Sequence, residues 1–257
     1  MNRLRRLTLL IGLALFPMAA IAQQVGPLAL NFGEDMFSSQ RMFQLMVLLT
    51  VLSVAPSILL MVTSFTRLII VFGFLRSALG LQTSPPNAIL VGLALFLTSF
   101  IMGPTFTASY QQGVAPYLNG QLDEAAAFER TAKPFSHFML ANVNGNDLDL
   151  FINMMPDKDR KDVKLPGPGV KIAEAKVPLQ ALVPAFMISE LKRAFEIGFL
   201  LFLPFLVIDL TVASILMSMG MMMLPPVTVA LPFKIIFFVL VDGWSLVVGS
   251  LVRSFGG

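Results

Sequence analysis

The sequence predicts an all-α integral membrane protein, built as helical hairpins with a small, mainly helical insertion. Three observations carry this. Hydrophobic residues make up 56% of the 257 residues and charged residues only 13%, about half the quarter usual in soluble domains. Mean hydropathy is +0.80. The apolar residues gather into stretches long enough to cross or line a bilayer, divided by a single polar block.

Residues 1–22 read as a signal peptide. Arg3, Arg5 and Arg6 are followed by an apolar core from Leu7 to Phe16 and by Ala20-Ile21-Ala22. A basic start, a short apolar core and a small-x-small end predict cleavage after Ala22. An uncleaved anchor is the alternative, against which the shortness of the core counts. Cleavage places the new N-terminus outside the cytoplasm. It also neutralises the chain despite its isoelectric point of 9.4. Without those three arginines, the remaining basic residues equal the 15 acidic ones in number, so charge gives no support for nucleic-acid binding. Cysteine is absent, which excludes disulfides, thiolate metal sites and a cysteine nucleophile.

After a polar N-terminal segment, 23–41, the region 42–109 reads as a first helical hairpin region. It holds an apolar run from Met42 to Val62 with Pro56 expected to kink it. A second stretch, Leu68 to Leu75, lies between Arg67 and Arg76, and a charge-free stretch runs from Ala88 to Thr107. Residues 110–181 change character. Positions 110–180 carry eight basic and nine acidic residues, and the turn-rich string LPGPG spans Leu165 to Gly169, so this is a soluble insertion. Apolar sequence resumes at Leu182, and 182–257 reads as a second hairpin region. A short loop around Arg67 and Arg76, positive and without acids, is expected in the cytoplasm. Segment 23–41 and the 110–181 insertion then fall in the periplasm.

The two hairpin regions echo each other. Gly80 is followed five residues later by Pro85-Pro86, and Gly220 five residues later by Pro225-Pro226. Proline cannot continue a helix and restricts the residue before it, so each pair is expected at the tip of a hairpin.

Several charges interrupt the second region. Glu190, Lys192, Arg193 and Glu196 fall within seven residues, and Asp209, Lys234 and Asp242 follow. Each costs about 2.5–3.5 kcal/mol at a bilayer centre on insertion scales, so they require pairing, solvent or burial against protein. Helical spacing offers Glu190 with Arg193 and Lys192 with Glu196. A solvated amphipathic helix is one reading of the cluster; polar contacts between neighbouring subunits are the reading preferred for all seven charges.

The turn of the second echo is rich in methionine: Met217, Met219, Met221, Met222 and Met223 are five of the chain's 16. Unbranched, polarizable side chains fill irregular gaps and move aside without breaking hydrogen bonds. Copies around an axis would form a soft apolar seal; ordinary core packing is the alternative.

At these residues the chain resembles the FliP/SctR family of flagellar and virulence type III export. The similar strings are MVTSFTRLIIVFGFLRSALG at 61–80, SPPN at 84–87, and MISELKRAFEIGFLLFLPFLVIDLTVASILMSMGMMMLPP at 187–226. The cleavable signal resembles the flagellar branch. The resemblance implies a homo-oligomer, a pentamer in the family, assembled with FliQ-like and FliR-like subunits and served by FlhB-like and FlhA-like components. It implies a gate in the inner membrane, within the flagellar basal body, that passes unfolded proteins. It also maps the family's methionine gasket onto Met217, Met219, Met221, Met222 and Met223, and allows the hairpins to stand above the lipid plane. No catalytic residue, cofactor or metal is expected. Asp209 and Asp242 lack the Gly-x-Gly-Asp context of intramembrane aspartyl proteases, and the single histidine, His137, lies in the insertion. No P-loop, zinc or dinucleotide motif occurs. A small-solute or ion transporter is the rival reading, since broken helices and intramembrane charges also mark such proteins.

Overall fold

The computed structural model describes residues 39–156, 160, 177–221 and 223–256. The signal peptide with its cleavage after Ala22, the Leu165–Gly169 string and Met222 lie outside the described residues. All regular structure among the described residues is helical, which makes this an all-α membrane protein. In order, the helices are α1 (Ser39–Met61), α2 (Phe65–Ala78), α3 (Asn87–Ser109), a π-helical turn (Tyr110–Val114) leading into α4 (Ala115–Leu118), α5 (Glu124–Asn142), α6 (Gly145–Met154), α7 (Leu179–Ser218), α8 (Pro226–Leu240) and α9 (Gly243–Arg253).

The chain divides into two compact units, Met1–Val54 and Ala55–Gly257. In the first, α1 exposes Met42, Phe43, Met46, Leu49 and Leu52. The helix runs through Pro56 and ends five residues later. All the packing described below lies within the second unit.

Local chemistry sets the helix boundaries. The Asp123 carboxylate accepts from the N–H of Ala126 at 3.3 Å and starts α5. The Asn144 side chain accepts from the N–H of Asn146 at 3.0 Å and starts α6; both satisfy donors that an open helix end leaves orphaned. Pro86 and Pro225 stand at the N-caps of α3 and α8, where a missing N–H does no harm.

Two cores form within this unit. One is made by α2, with Leu68, Val71, Phe72 and Leu75, packed against α3, α7, α8 and α9. The other joins Met139, Leu140, Leu148 and Ile152 of the insertion to Ala181, Leu182, Ala185 and Phe186. Helix α7 therefore serves both: its first turns belong to the insertion, the rest to the hairpins. Helices α2 and α7 approach closely at Gly198, where a Cβ would lie 2.4 Å from the Phe74 ring.

Among the described residues, two helices are long and apolar enough to cross a membrane, α3 with its extension to Leu118 and the 40-residue α7. Helices α8 and α9 make a third candidate, bent by 63° at the break between them, and α1 with α2 a fourth.

Candidate functional site

The polar groups of the apolar core converge on three places. At the first, Arg67 of α2 and Glu190 of α7 form a fully buried pair. Arg67 donates from Nε to Glu190 Oε2 at 2.8 Å and from Nη2 to Oε1 at 2.5 Å. Nη1 donates to the Ser254 hydroxyl at 2.8 Å, and the guanidinium lies 3.7 Å from the centre of the Phe255 ring. A planar fork matched to a carboxylate, with its remaining nitrogen occupied and its face covered, is the arrangement that makes a buried charge tolerable. Phe255 stacks on Phe138 of the insertion at 6.0 Å, so α2, α7, α5 and the segment after α9 meet around one guanidinium.

At the second place, Asp147 in the first turn of α6 is buried beside α7. Its carboxylate faces the Ser189 hydroxyl at 2.9 Å and pairs with Lys192. The Ser189 oxygen also accepts from the N–H of Asn144 at 3.0 Å. This triad docks the insertion onto α7.

At the third, Lys234 of α8 is buried between the hairpins. Its ammonium donates to Asp209 Oδ2 of α7 at 2.6 Å and to the carbonyl of Ala78, the last residue of α2, at 3.1 Å.

These contacts correct the pairing expected from helical spacing. Glu190 pairs with Arg67 and not with Arg193; Lys192 pairs with Asp147 and not with Glu196. The reason is burial. An i to i+3 partner stays on the helix surface, whereas a carboxylate enclosed between two helices needs a cation from the other helix. Of the seven charges assigned to subunit contacts, Glu190, Lys192, Asp209 and Lys234 have partners inside the chain. Arg193, Glu196 and Asp242 make no hydrogen bond or ion pair through their side chains among the described residues, and Glu196 and Asp242 are exposed. Arg67 is likewise a buried helical residue and not a loop charge, which leaves Arg76, in the last turn of α2, for the positive-inside argument.

The glycine turns of the two echoes have the same backbone. After α2, the N–H of Gly80 donates to the carbonyl of Ser77 and that of Leu81 to Arg76; after α7, Gly220 donates to Met217 and Met221 to Leu216. Both glycines are left-handed, with φ of 78° and 71°. This is the Schellman ending, which needs a residue without a Cβ at the left-handed position. Pro85 and Pro86 then lead into α3, and Pro225 and Pro226 into α8. Around the second turn Met217, Met219 and Met221 are exposed, and Met223 is 98% exposed.

Sequence reasoning missed Arg67, Asp147, Ser189, Ser254 and Phe255 as parts of these clusters. For Arg67 a signal was present: it sits in an apolar helix with no acidic residue between Asp35 and Asp123, so any partner had to come from far along the chain.

Apolar helices pinned together by buried ion pairs, with an uncovered methionine-rich turn at one hairpin end, define an all-α membrane protein of the hairpin-bundle type. The match to known families is specific: the chain belongs to the FliP family, whose model covers residues 48–251. Relatives called flagellar biosynthetic protein FliP share 54% identity over 245 residues in Caulobacter vibrioides, spanning 95% of this chain and 87% of that one. In Rhizobium meliloti the identity is 50% over 252 residues, 98% and 99% of the two chains. In Bacillus subtilis it is 49% over 212 residues, 82% and 91%.

Proposed function

We propose that this chain is a core subunit of the flagellar type III export gate and forms part of the wall through which unfolded flagellar proteins leave the cytoplasm. The observation that carries this reading is the turn between α7 and α8. Met217, Met219, Met221 and Met223 stand exposed there, with Gly220 breaking the helix beneath them. A single chain gains nothing from an uncovered methionine cluster. Copies set around an axis would bring these side chains together as a deformable seal, open to varied polypeptides and closed to ions at rest.

In this reading the protein acts without catalysis, in the inner membrane, as a homo-oligomer with FliQ-like and FliR-like subunits. It works alongside FlhB-like and FlhA-like components in the basal body, with the 110–181 insertion in the periplasm. The names of the relatives support the flagellar assignment. Glu196 and Asp242, exposed and without a side-chain partner among the described residues, are the charges left for neighbouring subunits.

Deleting Met221 to Met223 tests the seal. Membranes carrying the assembled variant become conductive to small ions if the turn closes the pore; an unchanged resting conductance refutes it. Mass measurement after mild-detergent purification separates a large complex, expected here, from the monomer or small oligomer of a solute transporter.

A further inference from the structure

The two glycine turns share a backbone but are braced differently from within the chain. Counted from the glycine, Arg76 of α2 corresponds to Leu216 of α7, and Asn87 of α3 corresponds to Val227 of α8. At the first turn, Arg76 Nη1 donates to Asn87 Oδ1 at 2.5 Å and to the carbonyl of Pro85 at 3.4 Å. That nitrogen carries two protons, one for each acceptor. The end of α2 is thereby tied across the turn to the start of α3. At the second turn neither Leu216 nor Val227 has a polar group with which to make that tie. Among the described residues from Met217 to Thr228, the one side-chain hydrogen bond is that of Ser218 to the Ile215 carbonyl, at 2.8 Å and inside α7.

The tied turn is also where the second hairpin rests. A Cβ on Gly80 would meet Leu231 Cδ1 of α8 at 3.9 Å, ordinary contact distance, whereas a Cβ on Gly220 would meet no atom within 4 Å. Lys234, about one turn further along α8, donates to the Ala78 carbonyl at 3.1 Å. Helix α8 begins at Pro226, so Leu231 stands about 7.5 Å of helical rise from the start. Whatever fixes the first turn therefore fixes the helix that leaves the methionine turn.

We propose that Arg76 is a positioning residue for the methionine turn. Its guanidinium holds the first glycine turn, that turn seats α8 through Leu231 and the Ala78 carbonyl, and α8 sets where the methionine turn stands. This deepens, and rests on, the reading of that turn as a seal.

The test is hydrogen–deuterium exchange of the full-length protein, in the complex in which it purifies from mild detergent. Peptides covering 79–84 and 219–228 are followed. Arg76→Leu is expected to speed exchange about tenfold in 79–84, the value of one hydrogen bond to a charged group, and to quicken 219–228 as well. Asn87→Val is expected to give the same pattern. It removes the acceptor and leaves the cation at the end of α2, so it separates the tie from the favourable charge at a helix C-terminus. Arg76→Lys, which keeps the charge and the donors, recovers most of the protection. Membranes holding the assembled Arg76→Leu variant become more conductive to small ions. Faster exchange confined to 79–84 overturns the proposal, and so does unchanged exchange in both variants. Faster exchange in both segments without any gain in conductance leaves the positioning standing and refutes the seal, so the two readings fail separately.

Discussion

The ammonium of Lys234 lies 2.6 Å from Asp209 Oδ2 and 3.1 Å from the carbonyl of Ala78. One cation thus closes the C-terminal end of α2 and neutralises an acid on α7. It favours the helix end as any cation does, and it joins the first hairpin to the second.

Removing that cation leaves an acid without compensation. Lys234→Met is expected to destabilise the protein at the low end of the about 3–5 kcal/mol seen when one partner of a buried pair is lost, because Asp209 is still 24% exposed. Asp209→Leu combined with Lys234→Met should be less harmful than either change alone. Thermal unfolding in detergent of the four proteins of this cycle measures the coupling.

Arg67 and Glu190 are both wholly enclosed, so the penalty there is larger. Glu190→Ala is expected to lose about 3–5 kcal/mol, read as depleted protein in membranes and a lowered melting temperature. Arg67→Lys should also fail to hold the site, because an ammonium cannot donate to both glutamate oxygens and Ser254 while covering Phe255. Wild-type stability in Arg67→Lys would mean that charge alone, and not the fork, is needed.

Gly198 permits the closest approach of α2 and α7. Gly198→Ala places a methyl 2.4 Å from Phe74 Cδ2 and 3.1 Å from its Cβ, so rotation of the ring does not relieve the clash. Overpacking of about 1–3 kcal/mol is expected. Phe74→Leu in the same chain should recover part of it, measured by the melting temperature of the double variant.

Gly80 and Gly220 share one backbone motif, so Ala at either should cost about 1–2 kcal/mol for the left-handed conformation. Asn, which tolerates that region, should cost less than Ala at both. A much larger loss at one glycine than at the other, in matched unfolding curves, would show that a contact and not the backbone governs that site.

Much of this architecture was legible from local signals. Pro85-Pro86 and Pro225-Pro226 carry their own stereochemistry, and so do the glycines five residues ahead of them; chain geometry there depends on a few adjacent residues. The ion pairs were not legible in the same way. Glu190 has Arg193 within reach along the helix, yet it pairs 123 residues away, because burial between α2 and α7 decides the partner. Asp147 looked like one acid among nine in a polar block; only the packing of α6 on α7 separates it from the rest. Spacing reports neighbours on one helix, and enclosed charges answer to neighbours on another.

Helix α7 is continuous for 40 residues, about 60 Å of contour at 1.5 Å per residue. Standing upright, such a rod is roughly twice as long as the hydrocarbon layer is thick. One end is gripped by Asp147 and the insertion core; the other carries the methionine turn. The two ends belong to one helix, and Pro204 between them is where its backbone ladder lacks a donor and where the rod can bend.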